Sequence, residues 1–452
     1  MLDIIILAAG KGKRMSSNLP KVLMQLAGTS LLKRIIDTSR AVGADHIHVI
    51  HGHCSDRLRA AITENHIDWV KQEEQLGTGH AVAQALPHVS QDAQVLILPG
   101  DVPLIQVDTL KKLIANLSSN GLSLLTAEFD NPTGYGRILR NDKGEIMGIV
   151  EERDASDLQR AIREVNTSIM CVPASFLKRW LHDLKRDNAQ GEYYLTDIVA
   201  MAVAEKIPVE SVKVTDIEEV LGVNDRKQLA TLERCYQRKQ ANRLLQEGVT
   251  LMDPARIDVR GELIVAHDVV IDINVIFEGR VVLGEGCMIG PNCVLRDVIL
   301  GKHVEVKANS ILEESIIGDQ CVIGPFARLR PGTELASEVH IGNFVELKKS
   351  KVDTGSKINH LSYIGDATIG TSVNIGAGTI TCNYDGVHKH PTTIGSGAFI
   401  GSGTELVAPV SIGEGAYIGA GSTIDHDAPA GELTLARARQ VTLLEWKNKK
   451  KK

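Results

Sequence analysis

Aliphatic side chains return at every sixth position along the second half of the chain, from Val265 to Ile424. A period of six fits neither the 3.6 residues of a helical turn nor the two of a strand, so each unit must be a short strand followed by a corner. Three such units close one triangular coil. The predicted inward positions are Val265, Ile271, Phe277, Leu283, Ile289, Leu295, Leu300, Val306, Leu312, Ile317, Ile323, Leu329, Leu335, Ile341, Leu347, Val352, Ile358, Ile364, Ile369, Ile375, Ile394, Ile400, Leu406, Ile412, Ile418 and Ile424.

This repeat predicts a parallel β-helix. The 26 positions, or 27 with Thr381 in its slot, make about nine coils, and at ~4.8 Å per coil the prism would be roughly 40 Å long. Glycine follows the inward residue in 13 units, and we expect it to supply the φ values that a corner demands. A stack of β-hairpins is the alternative, but hairpins carry two-residue turn signals and longer alternation. The one long gap predicts a loop over Asn383–Thr392, thrown out from a corner.

Continuous apolar runs mark buried strands in the first half of the chain, at Asp3–Leu7 and Val95–Leu98, and a helical pattern covers Leu31–Val42. Between Asp225 and Leu245, apolar positions alternate with arginine and lysine, which predicts a long solvated connector helix. A chain of 452 residues exceeds a single core. We therefore predict an α/β domain at 1–224, a linker helix at 225–247, a β-helix with a C-terminal extension at 248–446, and a disordered Lys-rich tail at 447–452.

Composition restricts the compartment and the partners. A net charge of −6 gives no reason to expect a nucleic-acid partner. The seven cysteines lie scattered without CxxC spacing, which suits buried or idle thiols in a reducing cytosol. No apolar run reaches the ~18 residues of a membrane span, and the N-terminus leads into a strand instead of a signal peptide. We expect a cytoplasmic protein with no membrane partner.

A glycine-rich turn follows the first strand, with the sequence Leu7-Ala8-Ala9-Gly10-Lys11-Gly12-Lys13-Arg14-Met15, and Pro20-Lys21 comes soon after. Such a turn lets backbone N–H groups approach phosphate, and Arg14 and Lys21 would offset its charge. The turn lacks the third glycine of a dinucleotide fold and the GK[ST] of a P-loop, so both readings are disfavoured.

Asp101 stands at the end of the buried strand that runs into Pro99-Gly100, the place where open α/β sheets bind ligands. A carboxylate there could hold Mg²⁺ or could simply cap a loop, and alone the two readings weigh equally. The glycine-rich turn favours the metal. Asn224 would bring a second oxygen ligand.

Several weaker signals carry a plain structural alternative. The turn containing Gly77 and Thr78, together with Gln72, could close over a base and sugar, although an ordinary helix start explains it nearly as well. Glu151 and Asn166 could bind sugar hydroxyls, or could lie on a solvated strand edge. His46, His48, His51, His53 and Cys54 suggest zinc, but alternation along a strand splits them between two faces and no tetrahedral spacing exists.

The turn from Leu7 to Met15 with its Pro-Lys resembles the signature loop of the nucleotidyltransferases that make nucleoside-diphosphate sugars. With the β-helix behind it, nearly the whole chain resembles the bacterial family of bifunctional N-acetylglucosamine-1-phosphate uridylyltransferases and glucosamine-1-phosphate N-acetyltransferases. The resemblance implies a Rossmann-like α/β nucleotidyltransferase domain followed by a left-handed β-helix. It also implies a uridylyltransferase site in which Arg14 and Lys21 are catalytic and Mg²⁺ lies on Asp101 and Asn224. The implied substrate contacts are Leu7, Ala8, Ala9, Gly10, Lys21, Gln72, Gly77, Thr78, Pro99, Gly100, Asp101, Gly136, Glu151, Asn166 and Asn224. Pro99 departs from the family pattern, which has a different and often aromatic residue there.

In the β-helix the resemblance implies an acetyltransferase with His360 as the catalytic base. Arg330, Lys348, Tyr363 and Asn374 would hold the sugar phosphate. Acetyl-CoA would lie in a groove between subunits of a homotrimer, on Ala377, Asn383, Tyr384, Ser402, Ala420 and Arg437. Imidazole titrates near pH ~6.5 and suits the proton of the glucosamine 1-phosphate ammonium. Glu346 is the nearest alternative base. The acetylated product would then attack the α-phosphorus of UTP and expel pyrophosphate.

Two rival functions stay open at this point. One is a monofunctional sugar-1-phosphate nucleotidyltransferase, such as an ADP-glucose or GDP-mannose pyrophosphorylase, whose shorter β-helix lacks the His360 and Asn383-Tyr384 constellation. The other is a purely structural trimerisation spike. Release of CoA thiol in the presence of glucosamine 1-phosphate separates them.

Overall fold

The computed structural model describes residues 1–10, 12–52, 55–117, 121–444 and 446. Lys11 of the glycine-rich turn, His53 and Cys54 of the histidine-rich segment, and the Lys-rich tail at 447–452 lie outside the described residues. The chain divides into two compact units, Met1–Tyr236 and a second that begins at Gln237.

The first unit is built on one mixed sheet. The strands of this unit, β1 to β11 in chain order, are Leu2–Leu7, Gln25–Leu26, Thr29–Ser30, His46–His51, Asp68–Lys71, Gln94–Pro99, Leu122–Glu128, Arg137–Arg140, Ile146–Val150, Glu164–Pro173 and Val209–Lys213. Strands β2 and β3 pair only with each other, and the other nine form the mixed sheet. The main sheet has the order β11-β7-β10-β6-β1-β4-β5, and β10 alone runs antiparallel to its neighbours on that path. The hairpin of β8 and β9 joins beside β10.

Helices cover both faces of this sheet, as the uninterrupted apolar strands require. The α-helices, α1 to α8, are Leu31–Val42, Ser55–Ala61, Thr78–Ala85, Val107–Ala115, Asp157–Arg160, Ala174–Asp183, Asp197–Ala204 and Arg226–Gln246. Short 3₁₀ turns cover Lys13–Met15, Lys21–Leu23, Ile217–Val220 and Pro254–Arg256. Ile4 of β1 packs in one cluster with Ile35 of α1, whereas Ile5 packs on the other face with Val82 of α3 and Leu177 of α6.

The helix predicted over Leu31–Val42 is confirmed with the same bounds, because its ends are well capped. The Ser30 hydroxyl accepts a hydrogen bond from the Lys33 N–H, and Gly43 ends the helix at φ 99°. Helix α8 also exists, but it is solvated on one side only. In the first unit Leu232 and Cys235 are buried, and in the second unit Ala241 and Leu244 are buried.

The second unit is a parallel β-helix with three faces, so the predicted fold is confirmed. The first face stacks Thr250–Leu251, Val270–Ile271, Met288–Ile289, Glu305–Val306, Val322–Ile323, His340–Asn343, Lys357–His360, Asn374–Ile375, Phe399–Ile400, Tyr417–Ile418 and Leu433–Thr434. These 11 strands exceed the nine coils expected, because the stacking starts one coil before Val265 and continues past Ile424.

The second and third faces share one sheet that begins with two long strands, Ile257–Val265 and Val275–Leu283. The second face continues with Val294–Arg296, Ile311–Glu313, Arg328–Leu329, Glu346–Lys348, Tyr363–Gly365, Ile380–Cys382, Glu405–Val407 and Thr423–Ile424. The third continues with Ile299–Leu300, Ser315–Ile317, Thr333–Leu335, Lys351–Val352, Ala367–Ile369, Thr392–Ile394 and Val410–Ile412.

The predicted inward residues are buried, with the single exception of Val265, which is half-buried. Thr381 is buried in its slot opposite Leu406, as expected. The extruded loop leaves at Asn383, but Thr392 does not belong to it. Thr392 is fully buried and starts a strand of the third face, because its register with Ala367 already continues the stack.

The reason given for the repeated glycines needs correction. Most of them do not adopt positive φ; among the 13, only Gly324 does. They are required because the next coil lies too close for a side chain. A Cβ on Gly342 would stand 1.9 Å from the Asn359 carbonyl oxygen, and one on Gly376 would stand 2.5 Å from the Ser402 nitrogen.

No helix in the described part of the chain is long and apolar enough to cross a membrane. The cysteines at 171, 235, 287, 293, 321 and 382 are free thiols, all but Cys382 buried. Burial raises the pKa of Cys171 to about 12 and that of Cys321 to about 11. These thiols are therefore protonated and poorly reactive near neutral pH, in line with the expectation of idle thiols.

Candidate active sites

Two adjoining cavities of about 310 and 300 Å³ open in the first unit, and Pro99, Asp101 and Ser168 line both. The first cavity collects ten of the predicted residues: Leu7, Ala8, Ala9, Gly10, Lys21, Gln72, Gly77, Thr78, Pro99 and Asp101. The second collects Arg14, Gly136, Glu151, Asn166 and Asn224, again with Pro99 and Asp101. Gly100 lines neither cavity, since it is buried and its N–H donates to the Leu7 carbonyl at 2.9 Å.

The first cavity lies at the carboxyl ends of β1 and β6. The parallel pairing of these strands sets Leu7 beside Pro99, and the chain leaves both strands toward the cavity. Gln72 is buried, and its side-chain NH₂ lies 3.2 Å from the Gly77 carbonyl and 3.1 Å from His80 Nδ1. A Cβ on Gly77 would stand 2.6 Å from the Tyr193 carbonyl, and its φ is 113°, so only glycine fits this turn.

Asp101, Lys21 and Asn224 meet where the two cavities join. The Lys21 ammonium forms an ion pair with Asp101 Oδ2 and lies 3.3 Å from Asn224 Oδ1. A backbone hydrogen bond of 2.9 Å from the Val223 N–H to the Asp101 carbonyl brings the Asn224 segment to this point. The Asp101 carboxylate and the Asn224 amide oxygen thus both face the same cation, the Lys21 ammonium. No group of three or more histidine, cysteine or acidic side chains that could hold a metal occurs in the described residues, here or elsewhere.

The second cavity has a buried polar wall. Asn166 is buried, and its N–H donates to the Gly136 carbonyl at 2.8 Å. Burial raises the pKa of Glu151, against the effect of a 3.0 Å hydrogen bond from the Thr196 hydroxyl. Glu151 and Asn166 therefore do not lie on a solvated strand edge. Arg14 lines the same cavity but is exposed.

In the second unit, one corner carries a column of residues that stack from coil to coil, which we call the corner column: Asn343, His360, Ala377, Ser402 and Ala420. Each carbonyl accepts from the next coil, at Leu361, Gly378, Gly403 and Gly421, over 2.7–3.2 Å. At the end, Arg437 Nη1 replaces the backbone donor and lies 2.6 Å from the Ala420 carbonyl. His360 thus shares one edge of the prism with four residues of the predicted acetyl-CoA set.

The residue that follows each member of the corner column has positive φ, and so do the equivalent residues on the four preceding coils. We call this second line the turn column: Asn274, Asn292, Asn309, Phe326, Phe344, Leu361, Gly378, Gly403 and Gly421. Its character changes along the prism. Up to Leu361, the residue after His360, the turn column carries asparagine and then large apolar side chains. Beyond Leu361 it carries only glycine, and a Cβ on Gly421 would meet nothing within 4 Å. The edge next to Ala377, Ser402 and Ala420 is therefore free of bulk.

The opposite edge of the second face gathers positive charge. Arg330 forms a 2.8 Å ion pair with Glu346, and its N–H donates to the Leu347 carbonyl, which sets Arg330 beside Lys348 on the next coil. The Lys389 ammonium of the extruded loop lowers the pKa of Lys348, and Arg330 adds to this effect. Close cations of this kind favour the binding of an anion.

Tyr363 lies on the second face, between these two edges, in register with Glu346. Asn383, at the base of the extruded loop, donates to Asp366 Oδ2 at 2.5 Å, and a Cβ on Gly365 would meet both Asn383 Nδ2 and the Tyr363 hydroxyl at 2.6 Å. Tyr384 is exposed and forms a bridge with Lys389. Asn374 is not brought to this place, since it lies on the first face in register with Lys357.

Comparisons with known proteins agree with this architecture. Residues 4–249 match the MobA-like NTP transferase domain, residues 259–352 the GMPPB C-terminal domain, and residues 391–426 the bacterial transferase hexapeptide (six repeats). A relative from Marinobacter nauticus, called "Bifunctional protein GlmU", is 56% identical over 450 residues, which cover 100% of this chain and 99% of the relative. The chain belongs to the GlmU family.

Two other GlmU proteins are similarly close. The GlmU of Azoarcus sp. is 54% identical, over 99% of both chains. The GlmU of Methylococcus capsulatus is also 54% identical, over 99% of this chain and 97% of its own length. The resemblance inferred from the sequence motifs is thus confirmed over the full length of the chain.

The candidate sites also contain residues that the sequence motifs did not reveal. Gln75 donates to the Ala9 carbonyl and lines the first cavity with Ser168 and Glu192. Thr196 fixes Glu151 across a separation of 45 residues. Lys389 had a local signal, because it is a cation inside the one loop that interrupts the repeat. The others had none.

Proposed function

We propose that the chain catalyses two consecutive steps of UDP-N-acetylglucosamine synthesis. The second unit transfers acetyl from acetyl-CoA to glucosamine 1-phosphate, and the first then transfers uridylyl from UTP to the product with release of pyrophosphate. The observation that supports this best is that full-length GlmU membership coincides with two separate clusters of the predicted residues, one in each unit. The domain limits remain those proposed from the sequence, 1–224, 225–247 and 248–446.

In the uridylyl-transfer site, the backbone of Leu7–Gly10 with Arg14 and Lys21 would hold the triphosphate. Gln72, Gly77 and Thr78 would face the base, and Gly136, Glu151, Asn166 and Asn224 would bind the sugar phosphate. The C1 phosphate oxygen attacks the α-phosphorus of UTP, and the bond to the β-phosphate oxygen breaks to release pyrophosphate. The Arg14 guanidinium and the Lys21 ammonium would offset the negative charge that grows on the phosphates during this displacement.

Asp101 and Asn224 would hold Mg²⁺, which would neutralise charge between the phosphates when bound. The fit rests on the carboxylate and amide oxygens that converge on the Lys21 ammonium. Both are the hard oxygen donors that Mg²⁺ prefers. Lys21 would then have to leave this position, and the adjacent first cavity offers it the triphosphate as its new partner.

In the acetyl-transfer site, His360 would take a proton from the ammonium of glucosamine 1-phosphate. The free amine attacks the thioester carbonyl, the C–N bond forms, and the C–S bond breaks to release CoA. The nitrogen loses its second proton as the amide forms, and the CoA thiolate takes up one proton. Arg330 and Lys348 would hold the phosphate with Tyr363 and Asn374. Acetyl-CoA would follow the glycine part of the turn column along Ala377, Ser402 and Ala420, with Arg437 at its end and Asn383 and Tyr384 at the loop.

A homotrimer would complete the acetyl-transfer site. Exposed apolar side chains line up beside the corner column, with Phe326 and Phe344 stacked at 5.4 Å and Leu361 on the next coil. Asn374 lies on a different face from Tyr363, so one chain alone does not bring the predicted set together. A groove between two copies could do so. UTP and acetyl-CoA are cytoplasmic metabolites, which places the proposed reactions in that compartment.

The two activities are tested separately. Asp101→Ala should abolish Mg²⁺-dependent formation of the UDP-sugar, while CoA thiol release with glucosamine 1-phosphate continues. A folded, trimeric Asp101→Ala variant that loses both activities would contradict the two-site proposal. No thiol release from the parent enzyme would instead favour a monofunctional nucleotidyltransferase with a structural β-helix.

Light scattering at micromolar concentration tests the assembly. The expected mass is three times that of one chain. A monomeric mass with full acetyl transfer would refute the groove between copies.

A further inference from the structure

The side chain that stacks directly beneath His360 in the corner column is a hydrogen-bonding partner. Asn343 ends its strand one coil before His360, and the two residues are in register. Asn343 Oδ1 lies 3.0 Å from His360 Nδ1. On the other side of His360 the column continues with Ala377, whose methyl group can neither donate nor accept. Asn343 is therefore the only neighbour within the column that can fix the ring.

Backbone hydrogen bonds hold both partners in place. The Leu361 N–H donates to the Asn343 carbonyl at 3.1 Å, and the Gly378 N–H donates to the His360 carbonyl at 3.2 Å. Asn343 is half-buried and His360 is exposed. A side chain that the fold has already positioned loses little freedom when it forms this bond, whereas His360 gains one defined ring orientation.

An amide oxygen only accepts hydrogen bonds, so its partner nitrogen must carry the proton. The neutral imidazole then has its hydrogen on Nδ1 and its lone pair on Nε2. We propose that Asn343 is a positioning residue that selects this tautomer and presents His360 Nε2 as the base. The inference rests on the proposed role of His360 in acetyl transfer.

The proton balance agrees with this arrangement. Nε2 takes one proton from the substrate ammonium, and the resulting imidazolium carries hydrogen on both nitrogens. The Nδ1–H···Oδ1 bond stays intact in both states, so the amide never changes partner. The imidazolium then loses the Nε2 proton to solvent, which restores the starting tautomer.

Other titratable groups near this strand do not compete for the ring. His340 and Lys357 lie at the far end of the first face, and Glu346 and Tyr363 lie on the second face. Glu346 is engaged by Arg330. Within the part of the chain that the structure describes, Asn343 is the one side chain that hydrogen-bonds to the His360 ring, while the Ser362 hydroxyl donates to the His360 backbone carbonyl at 2.8 Å.

Two substitutions at one position test the proposal. Asn343→Leu keeps the size but removes the acceptor, and we expect kcat for acetyl transfer to fall roughly tenfold, equivalent to ~1.4 kcal/mol. The KM values for both substrates should stay within about twofold, because ring orientation is affected and not binding. Asn343→Asp restores an acceptor, so kcat should recover at alkaline pH. Its acidic limb should move to higher pH, since a carboxylate favours the imidazolium.

The thermal transition of the second unit, measured by calorimetry, reports folding of each variant, and Asn309→Gly is the matched control. Asn309 stands in the turn column and accepts a 3.2 Å hydrogen bond from Asn292, and glycine adopts its φ of 60° without strain. Loss of an inter-coil hydrogen bond at the same edge, but far from His360, should leave acetyl transfer unchanged.

Solid-state spectra of ¹⁵N-histidine enzyme give the tautomer directly, with the His360 signal identified by its loss in His360→Gln. We expect the Nδ1–H tautomer in the parent. An Nε2–H tautomer, a normal kcat in Asn343→Leu, or an Asn343→Asp variant as slow as Asn343→Leu would each overturn the proposal. If His360→Gln itself keeps full turnover, the proposed base is wrong and not merely its positioning. If His360→Gln is inactive while Asn343→Leu is normal, only the positioning role fails.

Discussion

Replacing Ile400 by aspartate should unfold the β-helix at a markedly lower temperature. Ile400 is completely buried, in register with Ile375 below and Ile418 above. Burial of such a side chain is worth ~1.5–3 kcal/mol. An acid without a partner adds a further penalty of about 2 kcal/mol or more, because the carboxyl must either lose water or take up a proton.

The expected total is at least ~4 kcal/mol, a loss that few single substitutions reach. In a unit of about 200 residues, 1 kcal/mol moves Tm by roughly 2–4 °C, so the transition of the second unit should fall by about 8–16 °C. Differential scanning calorimetry of the full chain measures this shift, and uridylyl transfer shows whether the first unit is intact.

Thr393→Asp is the matched control. Thr393 points outward between the buried Thr392 and Ile394, so the change adds the same charge and removes another β-branched residue from a strand. Its Tm should fall by no more than a few degrees. Equal losses in both variants, or none in Ile400→Asp, would refute the inward register described here.

Three further predictions concern the sites. His360→Ala should lower kcat for acetyl transfer by ~10²–10⁴-fold with uridylyl transfer unchanged, and the defect should shrink at high pH, where the substrate amine is already free; a defect confined to KM would assign the base elsewhere. Lys348→Ala should instead raise the KM for glucosamine 1-phosphate at every pH, and a pure kcat effect would remove its phosphate role. Burial raises the pKa of Glu151 above its unfolded value, so its ionisation opposes folding increasingly as pH rises above the unfolded value near ~4.5. Glu151→Gln should therefore raise the Tm of the first unit at pH 7–8, with a gain that fades toward pH 4; an equal gain at both pH values would exclude ionisation as the cause.

The β-helix was predictable because its period is a direct record of packing. Each unit of six residues contributes one side chain to the interior of the prism, so the aliphatic repeat alone is enough to predict the fold. The reason why glycine is needed at the corners could not be predicted from the sequence. The sequence shows a small residue beside a corner, but the Asn359 carbonyl oxygen, which would lie 1.9 Å from a Cβ on Gly342, comes close only when the coils stack.

The residues that line the candidate sites were predictable where a motif is local, as in Leu7–Gly10. They were not predictable where partners meet across long separations. Thr196, just before α7, reaches Glu151, just after β9, and Asn343 reaches His360 from the preceding coil. Helix α8 was misjudged for a related reason, since arginine and lysine mark its outer side while the surfaces that bury Leu232 and Ala241 lie elsewhere in the chain.

The corner column also works as a ruler. From His360 the steps to Ala377, Ser402, Ala420 and Arg437 each advance one coil, so Arg437 stands about 19 Å beyond the imidazole at ~4.8 Å per step. The distance is therefore a whole number of coils. A deletion or insertion between His360 and Arg437 can change their separation only by the height of a whole coil, whereas side-chain substitutions leave that separation unchanged. If acetyl-CoA binds between His360 and Arg437 as proposed, the number of coils sets the length of acyl donor that the site can hold.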